Sequence, residues 1–70
     1  MSLNTRITTK QETADLYRRS AELYRKTQWV HAQLRNTEAE ARYRELAADC
    51  DRKASEIETE IMWLRERRGW

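Results

Sequence analysis

The sequence contains no proline and no phenylalanine, and its only glycine is Gly69. Turns between strands are usually built with glycine and proline, so no such turn is indicated before this residue. Strands also favour β-branched and aromatic residues, yet Val30 is the only valine. These absences exclude an all-β fold and a glycine-rich phosphate-binding loop, and they predict an almost wholly helical chain.

Cysteine and histidine are equally scarce, with one of each, Cys50 and His31. They allow no internal disulfide and supply too few ligands for a zinc site within one chain. A chain of 70 residues rarely gains enough stability from a single core, and only 39% of this one is hydrophobic. We therefore expect no metal and at least a dimer.

Long apolar stretches are also missing. Residues 1–9 lack the apolar segment of a signal peptide, and no stretch approaches the roughly 20 apolar residues of a membrane span. A lone cysteine without a secretion signal is typical of a reducing compartment. We expect a cytoplasmic protein that does not enter a membrane.

Signals for the start of a helix occur twice. Residues 9–12, Thr-Lys-Gln-Glu, have the spacing of a capping box, in which two side chains satisfy backbone N–H groups of the first turn. Residues 37–40, Thr-Glu-Ala-Glu, repeat this spacing directly after Asn36, a residue tolerated just past a helix C-terminus. A stop signal followed by a start signal indicates a short turn between two helices.

The predicted fold is an all-α, two-helix antiparallel hairpin, with helices over about residues 10–35 and 38–67. Residues 1–8 are predicted to be a flexible tail, and residues 9–68 a single domain. The alternative is one continuous helix through Asn36 in a long coiled coil, in which both start signals would serve no purpose.

Apolar residues recur with helical spacing in both halves. In the first helix one stripe follows a seven-residue repeat, and in the second the spacing alternates between four and three residues, as in the a/d pattern of a coiled coil. The second helix is predicted to be longer, so its apolar end would overhang and need cover from another chain. We predict a homo-oligomeric helical bundle or coiled coil whose interface contains Leu16, Leu23, Val30, Tyr43, Ala47, Cys50, Ala54, Ile57, Ile61, Trp63 and Leu64.

Charge is divided unevenly along the chain. Residues 1–35 carry seven basic and three acidic residues, a net charge of +4, whereas residues 36–70 carry seven and nine, a net charge of −2. Basic and aromatic residues alternate in the first helix, a pattern typical of surfaces that contact a phosphate backbone. The alternative is an ordinary solvated helix face, because Glu22 lies among them. The candidate residues for binding nucleic acid or a partner are Tyr17, Arg18, Arg19, Tyr24, Arg25 and Lys26.

Other residues have a structural explanation beside a functional one. Basic residues are favourable at a helix C-terminus, where the helix dipole is negative, and this explains Arg65, Arg67 and Arg68. The alternative is that they contact nucleic acid. Cys50 is expected to act as a small apolar residue of the oligomer interface, with redox sensing or an intermolecular disulfide as alternatives. His31 continues the Tyr17 and Tyr24 column and is expected to be packed or half-exposed, with a catalytic role as the alternative.

No pattern in the sequence indicates catalysis. There is no Ser/His/Asp set and no pair of carboxylates in a predicted pocket, and two helices cannot enclose a cleft for a small molecule. We therefore expect neither an enzyme nor a cofactor or small-molecule substrate.

Residues 16–24, Leu-Tyr-Arg-Arg-Ser-Ala-Glu-Leu-Tyr, resemble the LYRRAAxxW core of the PerC-like regulators of enterobacteria and their phages. Ser20 stands in place of the family's alanine, and Tyr24 in place of its tryptophan. Residues 37–38 resemble the turn that follows, and residues 50–54, Cys-Asp-Arg-Lys-Ala, are similar to a later C-x-x-K-A segment.

The resemblance extends over about residues 14–54, and the related ANR regulators share with this chain an asparagine followed by a cysteine. It implies a small transcription regulator, because PerC-like members are considered activators and ANR members bind other regulators. Carried over to this chain, the functional core of the first helix would be Tyr17, Arg18, Arg19, Ala21 and Tyr24.

Residues 9–13, Thr-Lys-Gln-Glu-Thr, are similar to the start of Rop, a plasmid RNA-binding helical hairpin that dimerises into a four-helix bundle. The length and the hairpin plan agree, whereas the basic and aromatic positions do not follow the RNA-facing pattern of Rop. This second resemblance implies an architecture and not an activity.

The resulting functional prediction is a small bacterial or phage regulator of transcription, which contacts DNA or binds a DNA-binding regulator. Two alternatives remain open. One is a helical hairpin that binds other proteins, such as a secretion chaperone or adaptor, and the other is a Rop-like RNA-binding bundle.

Overall fold

The computed structural model describes residues 2–68, in which the chain forms two α-helices. Helix α1 spans Leu3–Gln33 and helix α2 spans Thr37–Arg68. The helices lie antiparallel along their whole length in a rod of 53 × 15 × 13 Å. The predicted all-α hairpin is confirmed, and the alternative of one continuous helix is wrong.

The turn between the helices is held by a Schellman motif. The Asn36 N–H donates to the His31 carbonyl (2.9 Å), and Arg35 has a φ of 59°, the left-handed conformation that glycine adopts most readily. The side-chain Oδ1 of Asn36 then accepts a hydrogen bond from the Ala39 N–H (3.2 Å). Asn36 therefore lies just past α1, as predicted, and also caps α2, a role that the sequence assigned to Thr37.

Helix α1 begins at Leu3, so residues 3–8 are helical where a flexible tail was predicted, and the helix starts earlier than the predicted start near residue 10, whereas Met1 lies outside the described residues. Ser2 caps this helix, because its hydroxyl accepts a hydrogen bond from the Thr5 N–H (3.2 Å). Thr9 lies inside the helix instead of capping it, and its hydroxyl donates to the Thr5 carbonyl (2.9 Å).

The longer α1 removes the predicted overhang of α2. Lys10 forms a salt bridge with Glu60, which places the first turns of α1 beside the end of α2. Ile7 and Ile61 are both buried at this end, with 6% and 5% of their surface exposed. The apolar end of α2 is thus covered in part by the same chain.

The helices contact each other mainly through small side chains that recur every seven residues. In both helices the buried positions are alanines and one isoleucine, namely Ile7, Ala14, Ala21, Ala47, Ala54 and Ile61. Small residues at the contact let the two helix axes approach closely. No large side chain of the described residues is completely buried, so the core is thin.

The predicted seam of α2 lies in the part of that helix that contacts α1, because every one of its members is buried or half-buried. In α1 the contact differs from the predicted stripe. Ala14 and Ala21 are buried, whereas Leu16, Leu23 and Val30 are exposed. Leu16, Leu23 and Val30 therefore lie on the outside of the hairpin.

Candidate functional site

One side of the hairpin is an ion-pair face, formed by Arg18 and Arg25 of α1 and Asp51 and Glu58 of α2. The Arg18 guanidinium contacts Asp51, with 3.1 Å between Nη1 and Oδ1, and it also contacts Glu58. Arg25 contacts the second carboxylate oxygen of Asp51. Two of the four basic residues proposed to bind nucleic acid or a partner are therefore bonded within the chain.

These ion pairs give the uneven charge of the chain a structural explanation. The net positive α1 lies against the net negative α2, and Lys10 with Glu60 continues the pairing towards the open end. Exposed pairs of this kind contribute about 0.2–1 kcal/mol each, so they mainly align the helices. Asp51 and Glu58 are not among the predicted site residues, although their seven-residue spacing on the acidic helix is a usable signal.

The other two basic candidates, Arg19 and Lys26, lie on the outer side of α1 and are exposed. Within the described residues, neither side chain is within salt-bridge distance of a carboxylate. They are seven residues apart and so stand on the same side of the helix. Both charges are available to a partner.

The large aliphatic residues of α1 form an outer ridge, which consists of Leu16, Leu23 and Val30. Their exposed fractions are 61%, 62% and 47%. Arg19 and Lys26 follow the two leucines by three residues, so they line one flank of the ridge. The outer ridge is therefore an apolar row with a basic border.

The remaining side of the hairpin is an aromatic face, in which the α1 column Tyr17, Tyr24 and His31 packs against α2. His31 stacks on Tyr43 with ring centroids 5.4 Å apart, and Tyr24 lies 6.0 Å from the same ring. The Lys53 ammonium lies 5.6 Å from the centroid of the Tyr17 ring, a cation–π contact. The two candidate tyrosines thus contact α2 instead of standing free. The aromatic face is completed by three half-buried residues of α2, Cys50, Ile57 and Leu64.

Two open grooves that share no lining residue adjoin these two faces. The groove on the ion-pair face is lined by, among others, Ala14, Arg18, Glu58 and Met62. The groove on the aromatic face is lined by, among others, Lys10, Glu60, Trp63 and Leu64.

The residues predicted at an oligomer interface fall into three groups. Those buried inside the hairpin itself are Ala47, Ala54 and Ile61. Those half-buried on the aromatic face are Tyr43, Cys50, Ile57 and Leu64. Those exposed are Leu16, Leu23, Val30 and Trp63. Only the second and third groups are available to another chain.

Comparisons of the chain with known protein families, with curated proteins and with solved structures give no match. Within residues 2–68, no three His, Cys, Asp or Glu side chains are grouped so that they could hold a metal ion. Neither helix in that range has an apolar stretch long enough to cross a membrane. The candidate functional surfaces are therefore the ones defined by the geometry above.

Proposed function

We propose that the protein is a small helical regulator that works by binding another regulatory protein through the outer ridge. The observation that carries the proposal is the exposure of Leu16, Leu23 and Val30 beside two unpaired basic side chains. Full burial of an exposed aliphatic side chain gains about 1.5–3 kcal/mol, and these three, which are 47–62% exposed, would gain the share that corresponds to their exposed surface. Exposed apolar side chains aligned on one side of a helix are a usual mark of an interaction site.

The spacing of the outer ridge favours a helical partner. Residues seven apart occupy successive double turns of a helix, which is the repeat by which one helix packs along another. Amphipathic helices that bind proteins commonly present anchors with such spacing. The partner segment is therefore a helix with its own apolar stripe.

The border of the outer ridge favours a partner with acidic residues. Arg19 and Lys26 lie beside the leucines, and neither is within salt-bridge distance of a carboxylate of the described residues, although Glu22 lies one helical turn from both. Carboxylates that flank the partner's apolar stripe would meet these charges, which favours correct alignment and fast association.

Direct binding to DNA has less support. Arg18 and Arg25 are engaged by Asp51 and Glu58, and Tyr17 is covered by Lys53. A protein that binds DNA through phosphate contacts needs several free basic groups on one surface. Transcription remains the proposed setting, because of the PerC-like and ANR-like resemblance, with contact to a DNA-binding regulator as the mode of action.

The test uses a synthetic amphipathic helical peptide with leucines at seven-residue spacing and glutamates beside them. A matched peptide with lysines in place of the glutamates serves as control. We expect the acidic peptide to bind more tightly, and Leu23→Glu or the pair Arg19→Glu and Lys26→Glu to weaken it about tenfold or more, which corresponds to about 1.4 kcal/mol. Ala41→Glu, on an exposed position of α2, is expected to bind as the unaltered protein does.

A mobility-shift titration of duplex DNA at low salt is the second arm. A salt-sensitive shift that Arg19→Ala and Lys26→Ala abolish, together with no preference for the acidic peptide, would show that the outer side of α1 binds DNA and would overturn the proposal.

A further inference from the structure

We propose that the groove on the aromatic face binds a small aromatic carboxylate. This basic groove has a volume of about 390 Å³ and is lined by, among others, Arg6, Lys10, Glu60, Trp63, Leu64 and Arg67. That volume lies within the range of about 300–1,000 Å³ that is usual for ligand pockets. The sequence predicted no small-molecule ligand because two helices cannot enclose a cleft, but they do form this groove at their open end. The proposal concerns a different surface from the outer ridge and does not rest on the proposed function.

The uncompensated positive charge of the basic groove comes from two arginines, one on each helix. Lys10 and Glu60 form a salt bridge, so their charges cancel. Arg6 of α1 and Arg67 of α2 are exposed, and neither is within salt-bridge distance of a carboxylate of the described residues. Neither has an acidic residue three or four positions away in the sequence, whereas both basic residues beside the outer ridge have one. The groove therefore contains two guanidinium groups without a counter-charge.

A carboxylate matches this pair of guanidinium groups. The N–H donors of a guanidinium lie in one plane and fit the two oxygens of a carboxylate, and the group is always charged. Arg6 and Arg67 lie near opposite ends of the sequence, and the antiparallel helices bring both to one groove. Two such groups suit a single small anion, since a polyanion such as nucleic acid is bound by several free basic groups along one surface.

An exposed indole in the same groove favours a ligand with an aromatic ring. Trp63 is 60% exposed, and Leu64 beside it is half-buried. Trp63 and Arg67 are four residues apart, so their side chains lie on the same side of α2, one turn apart. A flat ring that stacks on the indole therefore brings its carboxylate towards a guanidinium.

The groove on the ion-pair face lacks both features. Its acidic residues Asp15 and Glu58 balance Arg18 and Arg65, and none of its lining residues is aromatic. Arg18 is also bonded directly to Glu58. An aromatic carboxylate would find neither an uncompensated charge nor a ring in that groove, which therefore serves as the internal comparison for the tests below.

The first measurement is an NMR titration of the full chain with naphthoate. The indole N–H signal of Trp63, assigned by its loss in Trp63→Phe, should show a saturable shift with a dissociation constant of about 1 mM, which is ordinary for a ligand of this size. Acetate has the charge without the ring, and naphthylmethylamine has the ring with the opposite charge. Both should bind at least about tenfold more weakly. No saturable shift up to about 10 mM naphthoate, or equal binding of naphthylmethylamine, would overturn the proposal.

Two pairs of substitutions separate the groove from the net charge of the protein. Arg6→Gln with Arg67→Gln removes the uncompensated charges, and we expect naphthoate to bind about tenfold or more weakly in equilibrium dialysis. Arg42→Gln with Arg65→Gln removes the same charge from exposed positions outside the groove and should bind as the unaltered protein does. Equal weakening in both pairs would show that naphthoate responds to net charge alone and would overturn the proposal.

The tryptophans provide a matched pair for the ring. Trp63→Ala removes the indole of the groove, and Trp29→Ala removes a similarly exposed indole, at 65%, from the other end of the hairpin. We expect binding to fall about tenfold in Trp63→Ala only. Both side chains are exposed, so both variants should fold, which circular dichroism verifies. Unchanged binding in a folded Trp63→Ala variant would contradict the assignment of the ring to this indole.

An anionic membrane is the main alternative ligand for a basic groove with an exposed tryptophan. Co-sedimentation with vesicles of phosphatidylcholine and phosphatidylserine tests it. Vesicle binding that the Arg6→Gln and Arg67→Gln pair abolishes, together with no binding of naphthoate, would show that the groove contacts lipid and would overturn the proposal. The same pair is expected to bind the acidic helical peptide as the unaltered protein does, so a failure at the groove is distinguishable from a failure at the outer ridge.

Discussion

Arg18 of α1 and Asp51 of α2 lie at about the same distance from the turn and are joined by a salt bridge, with 3.1 Å between Nη1 and Oδ1. Arg25, two turns further along α1, contacts the other oxygen of the same carboxylate. One acidic side chain thus bonds two turns of the opposite helix. These two contacts of Asp51 fix how α1 and α2 are aligned along their length.

Replacement of Asp51 by asparagine is expected to lower the free energy of unfolding by about 1 kcal/mol, because two partly exposed ion pairs are lost together. Urea denaturation at a fixed protein concentration measures the change. The loss should shrink as salt is added, since salt screens exposed charges. Glu45→Gln, an exposed residue of α2 with no salt bridge to the described chain, is the control and should change stability by a few tenths of a kcal/mol. Equal losses in both variants would contradict the alignment role of Asp51.

The turn holds a residue in a conformation that suits glycine. Arg35 has a φ of 59°, which costs a residue with a side chain about 1 kcal/mol. We expect Arg35→Gly to stabilise the protein by about 0.5–1 kcal/mol in thermal or urea unfolding. Arg35→Ala separates the effect of charge from that of conformation, and it should give no such gain. A destabilised Arg35→Gly variant would show that the guanidinium contributes more than the conformation costs.

The sequence predicted α2 better than α1, and the reason lies in side-chain size. In α2 the residues at the contact include Ile57, Ile61 and Leu64, which give a strong periodic signal. In α1 the contact is made by Ala14 and Ala21, whose weak signal is masked by the exposed leucines of the outer ridge. Periodicity finds the most apolar stripe of a helix, and in α1 this stripe is not the one that packs against α2.

The boundaries of α1 and the pairing between helices were harder to predict for different reasons. A capping box is a local pattern, so the one at residues 9–12 does not reveal that Ser2 starts the helix earlier. Which residues of α1 and α2 form ion pairs depends on how far one helix is displaced along the other. That displacement is set by the length of the turn and by the residues at which the turn begins and ends. In the sequence, the signals of these contacts are the opposite net charges of the two halves and the seven-residue spacing of Asp51 and Glu58.

Because alanines form the contact between the two helices, a larger side chain at one of these positions is expected to lower the stability of the protein. Ala21 is completely buried, so Ala21→Leu inserts three carbon atoms where the helices touch. We expect this variant to lose about 1–3 kcal/mol of stability through overpacking. Ala48→Leu, on an exposed position of α2, should stay within about 0.5 kcal/mol of the unaltered protein. A stable Ala21→Leu variant would mean that the helices are further apart than the structure shows.

The outer ridge is expected to be dispensable for folding. Leu23 is 62% exposed, so Leu23→Glu should change the unfolding free energy by less than about 0.5 kcal/mol. Ile61 is 5% exposed, and Ile61→Glu, which buries a charge, should abolish the cooperative unfolding transition. Circular dichroism during thermal unfolding distinguishes the two. If Leu23→Glu also unfolded the protein, the outer ridge would be part of the fold and the loss of peptide binding would not identify a binding surface.

His31 combines a good ring contact with an unsatisfied nitrogen. Its ring is stacked on Tyr43 with an interplanar angle of 7°, while its buried Nδ1 has no hydrogen-bond partner. His31→Phe retains a ring at this position and removes the unsatisfied atom, so we expect a gain of about 1 kcal/mol in the free energy of unfolding. His31→Ala removes the ring as well and should destabilise the protein, which shows that the gain comes from the nitrogen and not from relief of crowding. A less stable His31→Phe variant would contradict this and would indicate that Nδ1 accepts or donates a hydrogen bond in solution.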